Sequence, residues 1–365
     1  MSVSWRRRAA DRLCRVVQAV LPPSLHGWGW AVRCETAGIA DDREALLFAL
    51  DSLSGLLPRA VAGQAMRLLD RPRMLGTLCA VGSVALGLAY LTAAGAPLVY
   101  RAVNACALVF GLAALALVGR ARGQAQWGGG AIAVMAAALL ATALMAAKVE
   151  GAARWVSLGG LSVQPSLILL PLLLVAFARH RDGAASAGMV VAVAAMALQP
   201  DREMAAMLAL GLAVQALARR DRRSVALAAV GAAGFAVTLA RADALPAVPY
   251  VDGILLSGFG VHPVAGVAVV GGSMLLLVPA LVGMVRDPAR RAVHASFGAA
   301  WLAVIGAAAL GNYPTPLVGY GGSAILGYAL SLLALPRVAR RRAGAAAAGA
   351  AGRVRGDHHM LLRAA

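Results

Sequence analysis

Apolar residues dominate this chain in long blocks, separated by short loops in which arginine recurs. A membrane-crossing helix needs roughly 20 apolar residues, fewer when it is packed inside a bundle. Ten runs of about that size can be counted: Met74–Thr92, Ala102–Val118, Gly129–Ala147, Pro165–Ala178, Ala185–Leu198, Met204–Leu217, Val225–Ala240, Val264–Val285, Ala295–Leu310 and Val318–Leu335. The fourth and fifth are short and alanine-rich. The pattern predicts an all-α integral membrane protein with ten transmembrane helices over residues 74–336.

The flanks read differently. Residues 1–73 are expected to be too polar to cross a membrane and contain no signal-peptide core, so they form a cytoplasmic extension of amphipathic helices. Within it, Trp5, Ala9, Leu13, Val16 and Val20 make a stripe that ends at the Leu-Pro-Pro of residues 21–23. Asp41 caps a second helix, with Glu44 three residues on and Leu46, Leu50, Leu53 and Leu57 as its apolar stripe. Such stripes lie on a membrane surface, dock on loops or bind a partner. Residues 337–365 are a basic, low-complexity cytoplasmic tail attracted to anionic lipid. Its His358 and His359 are too isolated for a metal site.

Composition agrees with the spans: 61% of residues are hydrophobic, 14% are charged, and mean hydropathy is +0.76. A net charge of +18 raises the question of nucleic acid, which the placement of the arginines answers. Arg120 and Arg122, Arg179 and Arg181, Arg219–Arg223, Arg286–Arg291 and Arg337–Arg342 occupy alternate loops. That is the positive-inside pattern, and it puts both termini in the cytoplasm. The opposite loops hold only Arg101, Lys148, Arg154, Arg202 and Arg241. Nucleic acid is therefore excluded as the partner that explains the charge; membrane lipids are expected. The four cysteines show no metal-type spacing and point to neither a disulfide nor a metal. No cofactor is identified, and no phosphate-binding glycine loop of the Walker type supports an ATP-driven pump.

The sparsely charged loops carry the polar residues of interest. Four stretches stand out: residues 148–166 with Arg154, Trp155, Gln164 and Ser166; residues 198–203 with Asp201; residues 245–260 with Asp252; and residues 312–323 with Pro314, Pro316, Tyr320, Gly321, Gly322 and Ser323. Each has an ordinary explanation when taken alone. An Arg-Trp pair anchors at the interface, Pro200-Asp201 turns the chain and caps a helix, Asp252 is an exposed loop acid, and the glycines allow close helix packing.

In this order, however, the stretches resemble one family, the SEDS proteins (shape, elongation, division and sporulation) of the FtsW/RodA/SpoVE type. GAARWVSLGGLSVQPS at 151–166 is similar to that family's GA-RW-LGG-FQPSE segment, LQPD at 198–201 to its QPDLGT segment, and PTPLVGYGGSAIL at 314–326 to its PLPFVSYGGSSLL signature. The resemblance covers residues 74 to about 336. It implies a multi-pass protein of the bacterial cytoplasmic membrane that polymerises the polyprenyl-linked disaccharide-peptide precursor of peptidoglycan, lipid II. The chemistry lies at the outer face and serves cell wall synthesis, cell shape or cell division, beside a class B penicillin-binding transpeptidase. The resemblance aligns PYVDGIL at 249–255 with the segment that holds the family's essential aspartate, making Asp252 the catalytic base. It gives Arg154 contact with phosphate or sugar, and it lets Trp155, Gln164, Ser166, Asp201, Pro316, Tyr320, Gly321, Gly322 and Ser323 shape the precursor's cavity.

The chain departs from the family where the family has Glu and Lys after QPS: Leu167 and Leu170 stand there. Tyr250-Val251 replaces His-Thr before the aspartate, Gly253 follows it, and the loop from Arg241 to Asp252 is short. Two further readings stay open, a non-catalytic SEDS-like protein that binds lipid or a partner, and a flippase for the same precursor.

Overall fold

A computed structural model describes residues 4–121, 128–145, 154–241 and 246–336. The basic tail after residue 336 lies outside them, as do Lys148 and Asp243. Three helices come first, α1 (Trp5–Val20), α2 (His26–Gly38) and α3 (Asp42–Leu69). Next are α4 (Pro72–Ala93), α5 (Leu98–Ala121) and α6 (Gly129–Met145), then a hairpin of β1 (Val156–Leu158) and β2 (Leu161–Val163). The remainder is α7 (Pro165–Arg179), α8 (Gly183–Leu198), α9 (Arg202–Arg219), α10 (Arg222–Leu239), α11 (Ile254–Val261), α12 (Pro263–Leu275), α13 (Val278–Arg286), α14 (Arg291–Leu310) and α15 (Gly322–Ser331).

Each of the ten apolar runs is helical over most of its length, and the result is a multi-pass helix bundle. Among the described residues, six helices are able by length and composition to cross a membrane, and five of these fall on expected runs: α4, α5, α10, the α12–α13 pair and α14. α6, α7, α8 and α15 are apolar but shorter. The eighth run bends between α12 and α13, where Pro279 cannot donate to the ladder and starts a new helix instead. The tenth begins late: residues 318–321 of the expected helix are irregular, with Leu317 at φ 62° and Gly321 at φ 156°.

The sixth helix able to cross is α3, in the region expected to be too polar for it. Asp41 caps it as expected, accepting from the amides of Arg43 and Glu44 at 2.8 Å. The helix then runs on through Pro58 to Leu69. The buried stripes differ from those expected. α1 buries Ala10, Cys14 and Val17, and α3 buries Ala45, Ala49, Leu56 and Ala60. Trp5, Val16, Leu50 and Leu57 are exposed. The period was right and the phase off by about one residue, because small side chains let these helices approach closely and left the larger ones outside. These helices form two small cores of their own, apart from the large core of the bundle.

Arginines staple the helix ends of one face. Arg73 donates to the carbonyls of Leu333 and Leu335 at 2.5 and 3.0 Å. Arg179 donates to that of Ala334 at 3.1 Å and Arg219 to that of Ala178 at 2.5 Å. Arg181 pairs with Asp221 at 3.0 Å, and Arg286 with Asp70 at 2.9 Å. The last carbonyls of a helix have no intrahelical donor, so these guanidiniums satisfy them while adding charge where the helix dipole favours it. The motif-bearing loops connect the opposite ends of the same helices.

Candidate functional site

The first two motifs meet around Asp201, which is fully buried. It caps α9 by accepting from the amide of Met204 at 3.2 Å. Its other oxygen accepts from Gln164 Nε2 and Ser166 Oγ, both at 3.2 Å. Arg154 is buried too, donates to the carbonyl of Pro200 at 2.6 Å and lies 6.0 Å from the ring of Trp155. Its guanidinium thus holds the turn that presents Asp201. Between Trp155 and Gln164 the chain makes the β1–β2 hairpin, whose two-residue turn uses Gly159 and Gly160, both at positive φ. That geometry suits a tight hairpin and glycine adopts it without steric cost. Pro165 then opens α7, where a missing amide leaves nothing unpaired.

The third and fourth motifs pair through their backbones. Asp252 bridges Pro314 in antiparallel fashion. The amide of Thr315 donates to the carbonyl of Val251 at 2.9 Å, and that of Tyr320 to the carbonyl of Tyr250 at 2.8 Å. Pro314 and Pro316 fix extended backbone on this stretch, which leaves its polar groups free to pair sideways. Pro316 is buried; Tyr320, Gly321, Gly322 and Ser323 are half-buried. The Asp252 carboxylate is half-buried as well and accepts from the amide of Val248 at 2.8 Å. Burial raises its pKa above the ordinary carboxylate value, against the smaller opposing effect of that amide.

One contact ties the halves together: the amide of Gln164 donates to Ser323 Oγ at 3.0 Å. The path from Asp201 to Asp252 therefore runs through Gln164, Ser323 and the 314–323 segment. The first and third motifs meet that segment directly, and the Asp201 motif is joined to it through Gln164.

Two residues of α5 also belong here and were not singled out in the sequence. Tyr100 stacks on Tyr320 with ring centroids 3.8 Å apart and meets Tyr250 edge-on at 6.1 Å. Asn104, fully buried, bonds the backbone of Gly319 and Gly321. The available signal was a lone amide inside the apolar run 102–118. By contrast, Leu167 and Leu170, where the family has Glu and Lys, are buried apolar residues of α7. A cleft of about 400 Å³ lined by Arg73, Thr77, Leu115 and Arg120 lies on the arginine face, away from all four motifs.

No protein-family model matches the chain, and no curated protein does. Among solved structures it is similar to the rod shape determining protein RodA of Thermus thermophilus. An aspartate-to-alanine mutant of that protein matches at 23% identity and a TM-score of 0.50, covering 71% of this chain and 94% of that one. A second RodA structure, without that substitution, matches at 23% identity and TM-score 0.49, covering 71% and 93%. The likeness extends over nearly the whole of RodA, and it agrees with the motif resemblance: this chain carries the fold of the SEDS family, in a divergent form.

Proposed function

We propose that this chain is a SEDS-type peptidoglycan glycosyltransferase of the bacterial cytoplasmic membrane, working in cell wall synthesis and cell shape. The arginine face is cytoplasmic, and the face bearing the four motifs opens to the outside, where it receives the polyprenyl-linked disaccharide-peptide. Asp252 removes the proton from the acceptor sugar hydroxyl. That oxygen attacks the anomeric carbon of the donor, and the bond to the polyprenyl pyrophosphate breaks with its electron pair. Arg154 fixes the turn beside the headgroup cavity, and Asp201, Gln164, Ser166, Tyr320 and Ser323 shape its wall. A class B penicillin-binding transpeptidase is the partner. The single observation that carries this reading is the pairing of the Asp252 segment with the proline-glycine segment 314–323, because it brings an ionisable carboxylate to the most specific motif.

A non-catalytic SEDS-like role is the second reading, and one observation favours it: buried Leu167 and Leu170 supply neither the charge nor the hydrogen bonds of the family's Glu and Lys. The test of both is to incubate purified protein, alone and with candidate transpeptidases, with lipid-linked precursor. Glycan polymer supports the transferase; its absence in every combination, with precursor still bound, supports the second reading.

A further inference from the structure

The geometry points to Asn104 as a positioning residue of the candidate site, acting through the backbone of residues 319–321; this rests on the proposed function above. Four positions of α5 track along the motif. Tyr100 stacks on Tyr320, Asn104 bonds Gly319 and Gly321, a side chain on Gly322 would meet Ala107 at 3.2 Å, and one on Gly111 would meet Ala329 at 3.0 Å. Steps of four, three and four residues keep these positions on one helix face. That face and residues 319–329 fit along each other.

The Asn104 contact is reciprocal. Its Nδ2 donates to the carbonyl of Gly319 at 2.8 Å, and its Oδ1 accepts from the amide of Gly321 at 3.0 Å. Only an amide side chain of this length supplies both. Irregular backbone buried in a membrane protein has to find partners for its polar groups, and the carbonyl and amide on either side of Tyr320 find them here. Gly321, at φ 156°, holds a conformation that other residues rarely adopt. The clamp therefore fixes the backbone on both sides of Tyr320, whose own amide holds Tyr250 two residues before Asp252. It also fixes the start of α15, where Ser323 accepts from Gln164. Asn104 touches neither carboxylate, yet it sets the register between the Asp252 pairing and the Asp201 network.

The test uses the full chain in lipid nanodiscs with its transpeptidase partner. Asn104→Leu keeps the size and removes both bonds, whereas Asn104→Asp keeps the acceptor and loses the donor. In both variants kcat for polymer formation should fall about 10–100-fold with KM for the precursor within about threefold, the mark of misplaced groups. Asn104→Leu combined with Ser323→Ala should cost less than the product of the single losses, since both act on one path. A purely structural role would instead lower thermal stability and leave the kcat of the folded fraction unchanged, which overturns the proposal. Should Asn104→Leu not fold, Asn104→Asp decides by the same criteria. A wild type inactive with every partner refutes the transferase reading separately, and hydrogen exchange then judges the clamp. The Gly321 amide should exchange about 10-fold faster in the variants while the α5 amides do not change; an unchanged Gly321 amide refutes it.

Discussion

At the scale of single residues, Asp252 and Asp201 separate two uses of a carboxylate. Asp252 is half-buried, and among the described residues its side chain accepts from the amide of Val248. Asp201 has no surface exposed and takes three donors. The first is suited to accept a proton and the second to hold loops together. Asp252→Asn is expected to lower polymer formation roughly 10²–10⁴-fold without loss of expression, and wild-type activity in that variant would sink the assignment. Because burial raises its pKa, the base form disappears as pH falls through a value above the ordinary 3.8. The acidic limb of kcat/KM should therefore lie above that value and be absent from the residual activity of Asp252→Asn. Asp201→Ala leaves Gln164, Ser166 and the Met204 amide without their acceptor, each a buried donor. A loss of roughly 2–4 kcal/mol in stability is expected. Melting of the detergent-solubilised protein measures it, and an unchanged midpoint means these bonds contribute nothing.

At the scale of elements, α7 and α15 touch where there is no room for a side chain. A Cβ on Gly327 would stand 2.1 Å from the carbonyl oxygen of Leu167, and one on Gly87 of α4 would stand 2.6 Å from the backbone of Val318. In both places the obstacle is backbone, which cannot rotate away as a side chain does. Gly327→Ala must push α15 off α7 and should destabilise the bundle by about 1–3 kcal/mol or more. The same displacement would loosen the contact between Ser323 and Gln164, so activity should fall in the fraction that folds. If the variant melts and works like wild type, the two helices are less closely packed than described.

At the scale of the whole molecule, the arginine staples and the four motifs lie at opposite ends of the same helices. That arrangement makes sidedness testable in cells. A cysteine at exposed Ser157 should react with an impermeant thiol reagent added outside, and one at exposed Ala289 only after permeabilisation; the reverse pattern would invert the orientation. Thr315 makes a poor reporter, being 3% exposed. The first three helices have their own small cores, and the Arg286–Asp70 pair at their junction with the bundle is kept by a chain that starts at Leu69, which loses the exposed contact of Arg286 with Met66. A chain starting at Leu69 is therefore expected to insert and to melt within a few degrees of full length, and its degradation in cells would make the extension part of the core.

The sequence by itself located the ten apolar runs that form helices, because apolar length is a local quantity that no packing partner alters, but it passed over α3, which is also long and apolar enough to cross a membrane. It determined which loops share a side, through the positions of Arg181, Arg219 and Arg286, and it located the four motifs from their order. It did not determine phase: α1 and α3 bury Ala10, Ala45 and Ala49 while larger apolar residues remain outside, since close approach depends on the partner helix. Nor did it reveal that the tenth helix starts only at Gly322, or that Gly159-Gly160 closes a hairpin, both consequences of backbone angles rather than hydropathy. Only the tertiary structure decided that Arg154 faces Pro200, that Asp201 lies among donors from α7, and that Asn104, 215 residues before Gly319, closes on its carbonyl. Such contacts join segments remote in sequence, and they arise because buried polar groups must find partners wherever the fold brings them.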